Sequence, residues 1–241
     1  MEYKTIKEAI FVERPNRFIA KVLVDGEEQT VHVKNTGRCK ELLYPGVKVY
    51  LEDHGAEQIK RKTRYSLVVV EKVDKIRKNG MRLVNIDSQA PNKVVGEALA
   101  DCSLLLPGMG RSLTQIKAEK TYGESRFDFY VEDEEGRQAY IEVKGVTLEA
   151  DGVVRFPDAP TLRGVKHIKE LEQALKEGFL AYLIFVIQMK GVSHFEPNDE
   201  THPEFGAALR EARKNGVVFI ACDCDVTENR MKIGAPIEMK L

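Results

Sequence analysis

Two alternating segments within residues 125–144 constrain the fold of this chain more than any other feature. Apolar residues occupy every second position in both segments: Phe127, Phe129, Val131, Ile141, Val143. A period of two is typical of β-strands that bury one face and expose the other. The sequence therefore predicts two half-buried strands joined by a short loop.

The loop Glu134-Glu135-Gly136 decides which residues of the two strands face each other. A three-residue hairpin loop needs a left-handed conformation at its last position, which glycine adopts at little cost. Counting outward from such a loop sets Asp128 opposite Glu142, with Lys144 two residues further along the same face. A two-residue loop would shift the register by one and separate the two carboxylates. We therefore expect Asp128, Glu142 and Lys144 to converge.

Two converging carboxylates beside a lysine suit a divalent metal that binds oxygen, and we expect Mg²⁺ or Mn²⁺. Mg²⁺ is usually bound through one or two carboxylates and keeps several waters, which leaves room for a phosphate oxygen and an attacking water. Asp128 and Glu142 would hold the metal, and Lys144 would stabilise charge on the attacked phosphate. For the hairpin alone, the alternative is a solvated polar face of an antiparallel sheet.

The flanking segments predict an α/β domain with a mixed sheet flanked by helices. Helices and strands alternate along this region, with helices expected at 92–106, 165–175 and from 203, and further strands at 113–120, 179–187 and 217–220. The almost unbroken apolar run at 179–187 indicates a strand that is buried on both faces.

The N-terminal region consists of short predicted strands separated by turns, at 18–24, 29–33, 47–51, 66–73 and 81–86. Five such strands, with a helical turn at 41–43, suit a five-stranded OB-type barrel, a fold that binds oligonucleotides. A turn at 88–91 predicts a boundary between two domains, residues 1–86 and 87–241. No long linker separates them, so we expect the domains to pack together.

The distribution of charge also favours a nucleic-acid partner. The first 86 residues contain 18 Lys and Arg against 12 Asp and Glu, whereas the remainder contains 19 against 26. A basic front half and an acidic back half fit a nucleic-acid-binding module joined to a metal-binding one. Lys60, Arg61, Lys62 and Arg64 form a basic run that could contact phosphates, the alternative being a solvated loop.

A second cationic segment follows the loop that begins at residue 156. The loop leads into a helix that Asp158 or Thr161 could cap. Arg163, Lys166 and His167 occupy the first turns of this helix, where backbone amides also favour phosphate. We expect phosphate contact here rather than a cap with solvated charges, and His167 could also assist a proton transfer.

Several motifs, spaced along essentially the whole chain, resemble the sugar fermentation stimulation protein A (SfsA) family. The matching segments are the following: Arg17-Phe18, Asn35-Thr36-Gly37-Arg38, Pro45-Gly46, Tyr122-Gly123, Ser125-Arg126-Phe127-Asp128, Ile141-Glu142-Val143-Lys144, Phe156-Pro157-Asp158-Ala159-Pro160-Thr161, Arg163-Gly164, Lys166-His167 and Glu170-Leu171. The segment that holds Asp128, Glu142 and Lys144 also resembles the PD-(D/E)XK nuclease pattern.

The resemblance implies an N-terminal OB-fold domain, a C-terminal PD-(D/E)XK nuclease-like domain, and sequence-independent DNA binding linked to sugar fermentation. It makes Glu97 or Glu119 plausible as a further metal ligand, and the sequence does not choose between them. The candidate nucleic-acid contacts are Arg38, Lys60, Arg61, Lys62, Arg64, Arg126, Arg163, Lys166 and His167. A metal-dependent nuclease and a non-catalytic DNA-binding regulator remain the two alternatives. The sequence also leaves open whether the ligand is DNA or RNA, whether it is single- or double-stranded, and whether the protein forms a homodimer.

Composition excludes several other classes. The four cysteines form no C-x-x-C pair, which argues against a zinc site and favours reduced thiols in a cytoplasm. No apolar run reaches membrane-spanning length, and no signal-like stretch opens the chain. The motifs of dinucleotide-binding folds, P-loop enzymes, zinc proteases and serine hydrolases do not occur.

Overall fold

The computed structural model describes residues 1–55, 62–74 and 80–241, and the N-terminal part of these residues forms a barrel. Its strands are β1 (Ile6–Asn16), β2 (Ile19–Val24), β3 (Glu27–Val33), β4 (Lys48–Asp53), β5 (Tyr65–Val73) and β6 (Met81–Asn85). They are hydrogen-bonded in the order β3-β2-β1-β4-β5-β6, and β3 also pairs with β5. That extra pairing closes β1 to β5 into a ring, so the predicted OB-type barrel is confirmed.

One strand of the ring was not predicted from the sequence. The five expected strands correspond to β2–β6, but β1 completes the ring and β6 lies outside it, paired with β5. Only Ala9 and Phe11 are fully buried in β1. Charged residues occupy much of the rest of the strand, so its alternation is too weak to detect.

The C-terminal part contains a mixed sheet with helices on its faces, as predicted. Its elements are α1 (Ala90–Ala100), β7 (Leu113–Tyr122), β8 (Ser125–Asp133), β9 (Gln138–Val146), β10 (Glu149–Ala150), β11 (Val153–Phe156), α2 (Leu162–Lys176), β12 (Leu180–Ile187), β13 (His194–Pro197), α3 (Pro203–Lys214), β14 (Val218–Val226), β15 (Met231–Pro236) and β16 (Glu238–Met239). The main sheet has the order β15-β14-β12-β9-β8-β7, in which β12 runs parallel to both β9 and β14.

Helices α1 and α2 cover opposite faces of this sheet. Val94 and Leu99 of α1 join one buried cluster with Ile184 of β12, whereas Ile168 of α2 joins the other cluster with Leu183. Strand β12 is therefore apolar on both faces, which explains its unbroken apolar run. Helix α1 ends earlier than predicted, and Cys102 just beyond it has a left-handed φ of 57°.

A small second sheet, of order β10-β11-β13-β16, was not predicted. Its strands have two to four residues, too few for an alternating pattern to be recognised. Two of its strands, β10 and β11, belong to the segment that leads from β9 to α2. In the described parts of the chain, no helix is long and apolar enough to cross a membrane.

Buried polar contacts join the barrel to the C-terminal elements. Gln188 donates hydrogen bonds to the backbone carbonyls of Asn85 and Asp87, at 2.9 and 3.1 Å. Arg82 of β6 pairs with Asp74 at 2.6 Å and donates to the carbonyl of Gly191 at 3.1 Å. The proposed division after residue 86 falls between β6 and α1, and its position stays a prediction.

Candidate active site

The β8–β9 hairpin has the register that the sequence predicts. The backbone amide of Asp133 donates to the carbonyl of Arg137 at 3.1 Å, and Gly136 has a φ of 77°. The ladder runs back to the pair Phe129 and Ile141. The next residues along the two strands are Asp128 and Glu142, so the two carboxylates lie at the same level of the sheet.

The alternation of β8 breaks at Asp128, which the sequence did not predict. Phe127 packs in the cluster on the α2 side, with its ring centroid 6.2 Å from that of His167. Phe129 belongs instead to the cluster on the α1 side. The neighbouring strand β7 is distorted at the same level, where Glu119 has a φ of 55°. Asp128 therefore lies at a twist in the strand rather than on a regular polar face.

Two donors from different elements fix the Asp128 carboxylate. The backbone amide of Val143 donates to Oδ2 at 2.7 Å, and the side-chain amide of Asn92 donates to Oδ1 at 2.6 Å. Asn92 belongs to α1, so the helix and strand β9 together orient this side chain. Sequence reasoning missed Asn92, because nothing in the local pattern distinguishes it from other polar residues in α1.

Glu142 is 3% exposed, and its two carboxylate oxygens have different surroundings. Its Oε1 contacts Nδ1 of His167 at 2.5 Å and accepts a hydrogen bond from the ammonium of Lys144. Its Oε2 is buried and has no hydrogen-bond partner among the residues that the structure describes. A buried carboxylate oxygen without a donor is costly, which makes this atom a natural position for a ligand.

His167 supports Glu142 and does not face solvent. The imidazole is 4% exposed, and Nε of Arg163 donates to its Nε2 at 3.3 Å. Since Nε2 accepts this hydrogen bond, Nδ1 carries the proton that is donated to Glu142. Both ring nitrogens therefore have partners within the protein, and a phosphate contact by His167 stays a prediction.

The two carboxylates have opposite pKa shifts. Burial raises the pKa of Asp128, and the nearby charge of Glu142 raises it further. Burial also acts to raise the pKa of Glu142, but the hydrogen bond from His167 and the charge of Lys144 outweigh it and lower the pKa. Two such groups held together accumulate negative charge that a cation would neutralise.

The residues fit a hard divalent cation with few protein ligands. Glu142 Oε2 has no donor in the described part of the chain, and Asp128 lies at the same level of the adjacent strand. Within the described ranges, no group of three or more His, Cys, Asp or Glu could hold a metal ion. Two carboxylates are nevertheless what Mg²⁺ commonly takes from a protein, with waters and substrate oxygens completing its shell.

The two additional candidate carboxylates lie outside this cluster. Glu97 binds the terminal ammonium of Met1, and Glu119 pairs with Arg126 at 3.2 Å on the surface. Each is thus engaged by a cation elsewhere, and neither contacts Asp128 or Glu142 in the described part of the chain. The suggestion that one of them completes the metal site has no support from the geometry.

Two of the predicted phosphate contacts in the described residues reach the carboxylate site: His167 contacts Glu142 directly, and Arg163 donates a hydrogen bond to His167. Arg64 pairs with Asp53 through two nitrogens, at 2.9 and 2.7 Å, and Lys166 lies 3.7 Å from both Glu124 and Glu170. Other candidates are exposed or surface-paired: Arg38, Lys62 and Arg126. Lys60 and Arg61 lie outside the described residues.

Thr161, rather than Asp158, caps α2, because its Oγ1 accepts a hydrogen bond from the amide of Gly164 at 3.0 Å. Asp158 lies against the barrel instead, since a Cβ at Gly37 would be 2.7 Å from its Oδ2. The loop 35–37, the end of β9 from Gly145 and the two residues that follow it line a cavity of 170 Å³ between the barrel and the main sheet. This cavity begins one residue after Lys144.

Comparison with known proteins matches both parts of the chain. A family model described as the SfsA N-terminal OB domain matches residues 12–84. A second family model, described as the sugar fermentation stimulation protein RE domain, matches residues 89–230. The homolog from Desulfitobacterium hafniense is 51% identical and covers 100% of this chain and 99% of its own length. The homolog from Clostridium beijerinckii is 52% identical and covers 97% and 96%.

A solved structure of similar fold is that of Pyrococcus furiosus SfsA in complex with Ca²⁺. It is 27% identical to this chain and superposes with a TM-score of 0.83, covering 100% of this chain and 98% of the other. The expected combination of an OB-type barrel with a nuclease-like domain is thereby confirmed.

Proposed function

The chain belongs to the sugar fermentation stimulation protein (SfsA) family, and we propose that it binds DNA and cleaves phosphodiester bonds in a divalent-metal-dependent reaction. The observation that carries this proposal is the buried Oε2 of Glu142, which none of the described residues supplies with a donor and which lies at the level of Asp128, beside Lys144. A purely structural carboxylate would be expected to satisfy both oxygens.

In this proposal Asp128 and Glu142 hold Mg²⁺ or Mn²⁺. When bound, such a metal polarises a phosphate oxygen and lowers the pKa of an attacking water. The relative from Pyrococcus furiosus was solved in complex with Ca²⁺, another cation that prefers oxygen ligands. The choice between these ions is part of the proposal.

The remaining residues of the site orient Glu142 and balance negative charge. His167 holds Oε1 of Glu142, which leaves Oε2 as the oxygen directed at a ligand. Arg163 fixes the tautomer of His167 through Nε, and its terminal nitrogens are then available for a phosphate oxygen. Lys144 balances the negative charge of Glu142 before substrate binds. It could then stabilise negative charge on the attacked phosphate.

Sequence-independent binding follows from the kind of contact that these residues can make. Arginine and lysine side chains that meet phosphates position a nucleic acid without reading its bases. Arg163 and the basic N-terminal half of the chain supply such groups. DNA is the proposed ligand, with RNA as the comparison to be made in the same assays.

A cleavage assay with and without Mg²⁺ or Mn²⁺, on both DNA and RNA, tests the proposal. Asp128→Asn should reduce metal-stimulated cleavage by at least about a hundredfold, while binding in EDTA is retained. Glu119→Gln is the matched control, because it also neutralises one carboxylate but lies in the surface pair with Arg126. Tight DNA binding by the wild-type protein without any cleavage would favour the non-catalytic alternative.

A further inference from the structure

We propose that the barrel binds single-stranded nucleic acid on a surface formed by Arg17, Phe18, Arg38, Lys40 and Tyr44, which we call the basic–aromatic surface. This inference rests on the proposed function and specifies its substrate class: a nucleic acid with an unpaired segment. It concerns residues that are far in sequence from the carboxylate site. Arg38 is the member already named as a candidate nucleic-acid contact from the sequence.

The surface surrounds a hollow of 440 Å³ whose lining combines cations with apolar side chains. Arg17, Arg38 and Lys40 contribute the cations. Phe18 follows Arg17 in the β1–β2 turn and is 54% exposed, and Tyr44 lies between two lining residues and is 40% exposed. Large aromatic side chains that leave this much of their surface in contact with solvent are accessible to a ligand, and core packing alone does not explain their position.

One partly buried guanidinium, that of Arg14, fixes the shape of this surface. Arg14 donates to the carbonyls of Arg17, Asn35, Gly37 and Arg38, at distances of 2.6 to 2.8 Å. The two segments that carry Arg17 and Arg38 are therefore tied to the same side chain. A surface held in this way is preorganised, which lowers the entropic cost of binding.

The cations of the surface are not neutralised by acidic side chains of the described residues. None of Arg17, Arg38 and Lys40 forms a salt bridge with another of the described residues, whereas Arg64 and Arg126 each pair with a carboxylate. The one acidic residue in the lining of the hollow, Glu13, is itself paired with Lys21 at 2.9 Å. The hollow therefore presents positive charge that matches a phosphate backbone.

The combination of exposed rings and free cations favours a single strand over a duplex. Bases in a duplex are stacked on one another and cannot reach a protein ring, whereas unpaired bases stack on aromatic side chains. A duplex would use the cations of this surface but not Phe18 or Tyr44. The two rings thus identify the occupant as an unpaired strand.

The surface also leads toward the carboxylate site. The loop 35–38 contributes Arg38 to the hollow on one side, and Asn35, Thr36 and Gly37 to the interdomain cavity on the other. Gly145, which also lines that cavity, directly follows Lys144 in β9. A nucleic-acid strand that crosses this loop would therefore pass from the basic–aromatic surface to β9, which carries Glu142 and Lys144.

Equilibrium binding in EDTA tests the inference independently of cleavage. All proteins carry Asp128→Asn, and the probes are fluorescent oligothymidylate, oligouridylate, a strand of the same length without bases, and a duplex. Phe18→Leu and Tyr44→Leu should each weaken binding of at least one of the two base-containing strands by roughly 5- to 150-fold, the range for loss of one stacked base. Phe18→Trp should retain it. Arg17→Ala should reduce the slope of log affinity against log salt by about 0.7.

Two controls separate this result from a general loss of folding or charge. Leu105→Ala removes an exposed apolar side chain from the other domain, and Arg210→Ala removes a surface cation from α3; neither should change single-strand affinity. The inference is overturned if the leucine variants bind both strands normally, if duplex affinity falls equally, or if the strand without bases binds as tightly. Because no cleavage is measured, an inactive carboxylate site would leave these outcomes unchanged.

Discussion

The carboxylate of Asp128 accepts a hydrogen bond from the backbone amide of Val143, at 2.7 Å, and Val143 lies between Glu142 and Lys144. The main chain of β9 thus anchors the carboxylate of β8. Substitutions of Glu142 or Lys144 leave this amide in place. Glu142 and Lys144 can therefore each be altered without removing the backbone donor that anchors Asp128.

Asp128→Asn should stabilise the protein at neutral pH by about 1 kcal/mol. Burial and Glu142 raise the pKa of Asp128, so its ionised form is unfavourable in the folded state. An asparagine removes that charge, accepts from Val143 through its oxygen, and donates to Asn92 after Asn92 turns its amide over. Urea unfolding at pH 7 measures the gain.

The pH dependence of this gain has a defined sign. A carboxyl whose pKa is raised on folding destabilises the protein above that pKa and has no such effect below its unfolded value. The advantage of Asp128→Asn should therefore disappear as the pH falls below about 4. An advantage that persists unchanged at pH 3 would mean that packing, and not charge, is responsible.

Added divalent cation should raise the melting temperature of the wild-type protein. A ligand that binds only the folded state at about 100 times its Kd contributes about 2.7 kcal/mol, which corresponds to several degrees for a chain of this size. Glu142→Gln should abolish the shift, and the control Glu119→Gln should retain it. Equal shifts in all three proteins would place the cation elsewhere.

His167→Ala should reduce stability by about 1 to 3 kcal/mol at neutral pH, because Glu142 stays buried without one of its donors. The lowered pKa of Glu142 contributes stability that is present above its unfolded pKa and is lost as the pH falls through the folded value. Losing His167 raises this folded value, so acid unfolding should begin at a higher pH than in the wild type. Circular dichroism during an acid titration follows the change, and His167→Gln, which keeps one donor, should lie between the two.

Arg82→Met should destabilise the protein by about 3 to 5 kcal/mol, because it leaves Asp74 and Glu149 buried without this cation. The same change removes the hydrogen bond to the Gly191 carbonyl, which links the barrel to the C-terminal part. Adding Asp74→Asn should restore part of the loss. A double variant no more stable than Arg82→Met alone would show that the charge of Asp74 is not the cause.

The parts of this protein that could be predicted from its sequence are those governed by local periodicity. The register of the β8–β9 hairpin follows from a period of two and one glycine, and the two-sided burial of β12 follows from its apolar run. Asn92, which is 36 residues from Asp128 in sequence, acts through a contact that no local pattern contains. The roles of Arg14 and His167 depend in the same way on tertiary packing.

The misassigned features also have local causes. β1 is too charged to resemble a strand, and the strands of the second sheet are too short. At Asp128 the chain departs from regular alternation, so periodicity predicted the wrong face for Phe127 or Phe129. Such a departure beside a candidate active site is where local rules are expected to fail.

The ring of the barrel is closed by the pairing of β3 with β5, which joins His32 to Ser66 and Val33 to Leu67. Lys34 and the loop 35–38 leave β3 immediately after this seam. Any widening of the barrel at the seam would therefore displace the loop by the same movement. The closure of the barrel and the spacing between the basic–aromatic surface and strand β9 are thus set at one place in the chain.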